Sequence, residues 1–383
     1  MQKVNVLLVF GTRPEAIKMA PVYHELKKNS DFFNVTVCVT AQHRKMLDQV
    51  LSVFNIIPDI DLNLMKSGQD LYDVTCSVIL AMRGVIETIK PDLILIHGDT
   101  TTTLATAMAS FYSNSVLGHI EAGLRTYDMN SPYPEEFNRQ VVTKVAKWHF
   151  APTTKSKQNL LNENICENQI VVTGNTVIDA LLWVEKKINS DRSLKERIFK
   201  ELSGKLNFHW QEQRYVLITG HRRESFGLGF INICEAIKVL SLKYPLIQFV
   251  YPVHFNPNVQ NPVQHILSGL KNVHLIEPLE YEEFFILLKN SYIILTDSGG
   301  IQEEAPTLGK PVIVMRESTE RHESVVAGLV RLVGTDKEKI VTNVGQLIDN
   351  EHIYLNMTTK SNPYGDGTAS EKIVSFIRSN FVF

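Results

Sequence analysis

At 383 residues the chain is long enough for two domains of ordinary size, and its 44% apolar and 21% charged content fits a globular protein. A formal net charge of −2 offers no basic surface and argues against a nucleic-acid partner. Cys38, Cys76, Cys166 and Cys234 are widely spaced with no CxxC pair, so neither a zinc site nor a disulfide framework is signalled, and reduced thiols in a cytoplasmic protein are the simplest account.

The first apolar run, Val4–Phe10, is too short for a signal peptide, and no segment approaches the ~20 apolar residues of a membrane span. Read in chain order, strand-like runs fall at Val4–Phe10, Asn34–Thr40, Leu93–His97, Val116–Ile120 and His149–Ala151. Helical patterns separate them at Pro14–Lys28, Gln42–Phe54, Leu71–Ile89, Thr103–Tyr112 and Phe137–Lys147. Continuous apolar strands alternating with amphipathic helices predict a parallel sheet covered on both faces. The alternation then restarts, with strands expected at Ile170–Thr173, Tyr215–Thr219, Gln248–Val253, Val273–Ile276, Tyr292–Thr296 and Pro311–Val314. Helices are expected at Val177–Ile188, Phe230–Tyr244, Tyr281–Asn290 and Ile301–Leu308, with a polar stretch at Asn189–Gln213. The expected fold is α/β: two doubly wound Rossmann-like domains, 1–174 and 175–366, facing across a cleft, with a last helix in 367–383 crossing back onto the first domain.

The chemistry-bearing residues cluster where strands end. The stretch after Tyr292–Thr296 reads Asp297-Ser298-Gly299-Gly300 and opens a helix carrying Gln302, Glu303 and Glu304. Glycines let the backbone approach a phosphate, and unpaired N–H groups at the helix start point at it, so this is an anion cradle with a glutamate placed for sugar hydroxyls. The loop after the first strand, Gly11-Thr12-Arg13-Pro14-Glu15, has Lys18 one turn on, giving cations at a helix start. A GxGxxG fingerprint is absent, which argues against a dinucleotide cofactor. Asp99 ends the third strand and either serves the ligand or caps the next helix. Glu121 and Arg125 follow the fourth. Glu135 and Arg139 sit one turn apart, as site groups or as a helix-stabilising pair. His221, Arg222 and Arg223 end a strand of the second half and suit a diphosphate. His254, also at a strand end, is a ligand group or a structural histidine, and Arg321 adds a further cation.

The motifs GTRPEAIKMAP (Gly11–Pro21), QHRKMLDQVL (Gln42–Leu51), HGDTTTT (His97–Thr103), HIEAGLRT (His119–Thr126), SPYPEEFNR (Ser131–Arg139), GNTVIDAL (Gly174–Leu181), GHRRE (Gly220–Glu224), HFNPNV (His254–Val259) and DSGGIQEEAPTLGKPV (Asp297–Val312) occur in order. Through them the whole chain closely resembles the bacterial non-hydrolysing UDP-N-acetylglucosamine 2-epimerases. The resemblance implies a GT-B-like architecture, UDP held mainly by the C-terminal domain, no cofactor and no metal, and a homodimer. It also implies the reaction: inversion at C2 to give UDP-N-acetylmannosamine for surface polysaccharide or glycoconjugate synthesis. Direct removal of the C2 hydrogen is very unfavourable, because no carbonyl adjoins it. Departure of UDP from C1 makes that hydrogen acidic, and elimination gives 2-acetamidoglucal, to which UDP re-adds with protonation on the other face.

Asp99, Glu121, Glu135, Arg139 and His221 match the family's catalytic positions. The resemblance assigns proton transfer to the three carboxylates, without saying which is acid and which is base, and assigns the leaving diphosphate to His221. Arg13, Lys18, Phe284, Ser298, Gly299, Gly300, Glu304 and Arg321 match UDP contacts. Gln42, His43, Glu135, Arg222 and His254 match the positions that hold a second UDP-N-acetylglucosamine as activator. Many relatives have Gln at Lys45, Arg at Gly68, Pro at His322 and Asn at Ser225, and the first two departures bear on the activator contacts. The rival readings are a hydrolysing epimerase that releases free N-acetylmannosamine and UDP, a glycosyltransferase of similar architecture, and a catalytically silent UDP-sugar sensor. The Arg-Pro-Glu loop and the QHR segment favour the non-hydrolysing branch.

Overall fold

The apolar, β-branched runs form two parallel sheets in a computed structural model, which describes residues 3–40, 44–66 and 68–381. The first sheet contains β1 (Val4–Phe10), β2 (Phe33–Val39), β3 (Ile60–Asp61), β4 (Leu93–His97), β5 (Leu117–Ile120), β6 (Trp148–Ala151) and β7 (Ile170–Val172), ordered β3-β2-β1-β4-β5-β6-β7. The second contains β8 (Tyr215–Thr219), β9 (Gln248–Pro252), β10 (Val273–Ile276), β11 (Ile293–Thr296), β12 (Val312–Val314) and β13 (Val330–Leu332), ordered β10-β9-β8-β11-β12-β13. Every pairing among them is parallel. In both sheets the order turns back once, between β1 and β4 and between β8 and β11. At such a switch point neighbouring loops leave in opposite directions and open a crevice at the strands' carboxyl ends.

Helices cover the sheets because each carries an apolar stripe. Leu7, Val9, Ile94 and Ile96 of the first sheet are buried against Val78 and Met82 of the helix Leu71–Ile89 and Ala105 of Thr101–Tyr112. Val216, Ile218, Phe249 and Leu295 are buried with Phe230, Ile237 and Leu347 in the second. Ile170–Val172, grouped with the renewed alternation but inside the expected first domain of 1–174, pairs with β6 and closes the first sheet. The polar stretch Asn189–Gln213 contains a helix, Arg192–Lys205, whose buried residues are Leu194, Ile198 and Leu202. Three buried apolar residues at a spacing of four, with Phe199 beside them, make too narrow a stripe to stand out among ten polar or small neighbours.

The chain divides into one unit of Met1–Trp183 with Tyr364–Phe383, and another of Val184–Pro363. The division lies inside the helix Thr176–Ser190, beyond the Gly174 turn where composition placed it. The last helix, Ala369–Asn380, belongs to the first unit: Asp179 accepts the N–H groups of Ala369 (3.2 Å) and Ser370 (2.7 Å), and Phe376 packs edge-on against Trp148 and Phe150.

Candidate active site

In the first unit, the loops after β1, β4 and β5 leave the sheet side by side. Gly11 lies so close to Thr40 and Thr102 that a Cβ would stand 2.1 and 2.5 Å from their hydroxyls. The two hydroxyls are hydrogen-bonded to each other at 2.8 Å. The buried Glu15 carboxylate joins the first two loops. It accepts the N–H groups of Gly11 (3.1 Å) and Thr12 (2.8 Å) and the hydroxyls of Thr100 (2.8 Å) and Thr103 (3.2 Å). Burial raises its pKa, against the opposing pull of those hydrogen bonds. Arg13 is half-buried on the same loop.

Asp99 is not the cap of the helix that follows it. Thr100 is, accepting the N–H of Thr103 at 3.2 Å. The Asp99 carboxylate instead meets Arg139, whose Nη2 and Nε lie 2.6 and 2.9 Å from Oδ2. Arg139 comes from the helix Glu135–Val145, which begins two residues earlier than its pattern suggests. Asn138 of that helix donates to the Asp99 carbonyl at 2.7 Å. Glu135 sits half-buried in the first turn. Its neighbour Glu136 is fully buried and also holds Arg139, at 3.1 Å, while accepting the N–H groups of Thr126 and Tyr127. Burial alone would raise the Glu136 carboxyl, but hydrogen bonds from Gln140, the two backbone N–H groups and Arg139 bring it below its ordinary value.

Glu121 follows β5 with φ +65°, a left-handed conformation that a non-glycine residue adopts at a cost. Lys18 and Asn175 (2.7 Å) both donate to its Oε2. Gly98 faces the other oxygen, and a Cβ there would be 3.6 Å from Oε1. Lys18 thus stands inside the first unit against Glu121. Arg125, expected near the site, is buried in a structural role, with Glu163, Thr143 and the Leu124 carbonyl around it. Beneath these loops lie three buried histidines. Burial pushes His97 and His149 down to about 4 and His119 down to about 3. A ring nitrogen of His119 lies 2.7 Å from the Gly98 carbonyl and fixes that turn.

In the second unit the loops after β8 and β11 meet at its switch point. Ser298, Gly299 and Gly300 lead into the helix Ile301–Thr307. Arg321 packs on Gly299, where a Cβ would be 2.6 Å from Nη1. Its guanidinium is held by Glu303, at 2.8 Å, and by Glu320, and Arg316 extends the network to Glu320 (3.3 Å) and Glu224 (2.8 Å). Glu303 is thus committed to Arg321, and Glu304 is the buried glutamate one residue on. Phe284 is half-buried in the helix Tyr281–Asn290. His254 is exposed and stacks on His221, ring centroids 5.4 Å apart, with Arg222 adjoining. The lysine, arginine and acidic positions of the resemblance therefore fall at one switch point in each unit. Arg13 and Lys18 lie in the first, Ser298, Gly299, Gly300, Glu304 and Arg321 in the second, and Phe284 stands on the helix that precedes β11. Gln42 and His43 lie outside the described residues. Glu15, Glu136, Asn175 and Glu320 hold the expected groups in place; the first three lie inside the quoted motifs, but nothing in the sequence alone gives any of the four a role.

Residues 24–378 match the family model described as UDP-N-acetylglucosamine 2-epimerase. The chain is 54% identical over 377 residues to the UDP-N-acetylglucosamine 2-epimerase of Escherichia coli K12, covering 98% of this chain and 99% of that one. Among solved structures, the Neisseria meningitidis enzyme bound to UDP-GlcNAc superposes with a TM-score of 0.93 at 51% identity, covering 98% of this chain and all of that one. The Methanocaldococcus jannaschii enzyme in complex with UDP-GlcNAc and UDP gives 0.83 at 32% identity, with the same coverage. With the switch-point geometry in each unit and this likeness along nearly its whole length, the chain belongs to the UDP-N-acetylglucosamine 2-epimerase family.

Proposed function

We propose that the chain interconverts UDP-N-acetylglucosamine and UDP-N-acetylmannosamine without hydrolysis, supplying N-acetylmannosamine units for surface polysaccharide or glycoconjugate synthesis. The observation that carries this reading is the presentation of Asp99 and Glu121 by the adjacent strands β4 and β5, each carboxylate held by its own cation, Arg139 and Lys18. Inversion at C2 needs a proton removed from one face and returned to the other. Two separately anchored carboxylates supply that, with Glu135 as the third acid of the set. In the elimination, the bond from C1 to the UDP oxygen breaks as a carboxylate takes the C2 proton, leaving the C1–C2 double bond of 2-acetamidoglucal. Re-addition forms the C1–O bond again and delivers a proton to the opposite face of C2. The glycine turn Ser298–Gly300, Arg321 and His221 hold the diphosphate through both steps, and Glu304 takes the ribose. Lys18 acts on this reading chiefly through Glu121, and Arg13 meets the diphosphate.

The test is the reaction run in heavy water and followed by NMR. Deuterium at C2 of UDP-N-acetylmannosamine, with UDP not accumulating, is the expected result. Free N-acetylmannosamine with stoichiometric UDP makes the enzyme a hydrolysing epimerase, and no exchange at C2 removes the elimination route. The stacking of His254 on His221 favours one addition. A second UDP-N-acetylglucosamine touching Arg222 and His254 activates the enzyme through the neighbouring imidazole. A hyperbolic rate curve, with UDP-N-acetylmannosamine turned over alone, rejects this activation.

A further inference from the structure

The groups in the second unit share a neighbour that carries none of the roles assigned above. Asp297 follows β11 directly, and its side chain is fully buried. Its Oδ2 accepts the N–H groups of His221 at 2.7 Å and Arg222 at 2.8 Å. One oxygen atom thereby ties the loop after β8 to the loop after β11, across the point where the strand order reverses. The other oxygen, Oδ1, has no hydrogen bond among the described residues and lies 3.6 Å from His221 Nδ1. A buried carboxylate oxygen is costly unless a donor or a positive charge faces it, and this imidazole is the group that does. The His221 ring lies nearly parallel to His254, at 15°, which restricts its rotation.

We propose that Asp297 is the positioning residue of His221: it holds the imidazole as the Nδ1–H tautomer, turned toward Oδ1, and leaves Nε2 for the diphosphate. The proposal rests on reading His221 as the group that meets the leaving phosphate. In the neutral ring Nε2 is then the basic nitrogen. On ligand binding it takes a proton from solvent and becomes a charged donor to a phosphate oxygen. Burial lowers the His221 pKa most, and Arg222 and His254, which also face the ring, lower it further. Asp297 opposes them, so it is the group that makes the imidazolium attainable when the diphosphate arrives. A carboxylate that fixes a histidine's tautomer while staying ionised itself is a recurrent arrangement in catalysis.

The test is the tautomer of His221 in protein carrying 15N-labelled histidine, with the resonance assigned through His221→Gln. The wild-type ring is expected to carry Nδ1–H at neutral pH. In Asp297→Asn the amide oxygen keeps the two backbone hydrogen bonds, so the amide N–H faces Nδ1. The ring then switches to Nε2–H, its titration midpoint falls, and kcat drops about 100-fold at an unchanged melting temperature. A wild-type ring that already carries Nε2–H overturns the proposal and needs no variant. A folded Asp297→Asn protein with an unchanged tautomer, midpoint or kcat overturns it as well. The NMR measurements use no substrate, so failure of the epimerase reading, seen as no UDP-N-acetylmannosamine from the wild type, is recorded separately.

Discussion

Asp99 is held at two points by one helix. Its carbonyl is held by Asn138 and its carboxylate by Arg139, so the helix Glu135–Val145 sets where the acid stands. Asp99→Asn keeps the shape and removes the charge. Turnover is expected to vanish while UDP binding, measured calorimetrically, changes little, and near-normal turnover would remove Asp99 from the mechanism. Glu136 lies one step further back. Glu136→Ala takes from the buried Arg139 a carboxylate that holds it and frees the N–H groups of Thr126 and Tyr127. A loss of about 3 kcal/mol in urea unfolding, together with lower kcat, is expected. An unaltered unfolding midpoint would show that Glu136 holds nothing of consequence. At this scale the sequence was readable where a residue ends an apolar strand, as Asp99, Glu121 and His221 do. It was unreadable for the groups behind them. Asp297 meets the His221 backbone from 76 residues away, and Asn175 meets Glu121 from 54, and no local pattern records such a pairing.

Among the elements, the turns are more constrained than the helices they feed. Gly299 is glycine because Arg321, pinned by Glu303 and Glu320, leaves no room for a Cβ. Gly299→Ala should therefore displace the guanidinium and weaken UDP binding by roughly tenfold or more, about 1.4 kcal/mol, with little change in melting temperature. Equal affinity would show that the cradle accepts a side chain. The strand–helix alternation was legible because buried parallel strands are short continuous apolar runs. Elements with weak signals were not. The two-residue β3 is too short to show a period. The helices Pro257–Leu267 and Lys337–Asp349 bury only narrow stripes, Val259, Val263 and Leu267 in one and Ile340, Val344 and Leu347 in the other, among mostly polar neighbours. The membership of Ile170–Val172 is decided by its pairing with β6 rather than by its composition.

For the whole molecule, His97, His119 and His149 make acid the weak side. Their folded-state pKa values, about 4, 3 and 4, lie below the unfolded value near 6.5. Between those limits the unfolded chain binds protons that the folded chain does not. Their contribution is complete above about pH 6.5 and is lost as the pH falls toward 4, by up to about 1.4 kcal/mol per pH unit for each ring. Glu15 and Asp179, both raised by burial, work in the opposite sense but are two groups against three. Urea midpoints should drop between pH 7 and pH 5, with a shallower fall in His149→Gln, and a flat profile contradicts this. The return of Tyr364–Phe383 to the first unit adds a constraint in time. The helix Ala369–Asn380 packs on a sheet whose last strand ended at Val172. At 5–20 residues per second, the ribosome needs about 10–40 s to make the roughly 185 residues between Trp183 and the final helix. Through that interval Phe150 and Trp148 lack their cover, so the nascent first unit must wait, partly open, for the second to be synthesised. Chains halted after Pro363 should be cleaved by added protease within the first unit, and resistance equal to that of the full chain would show that the unit closes without its last helix.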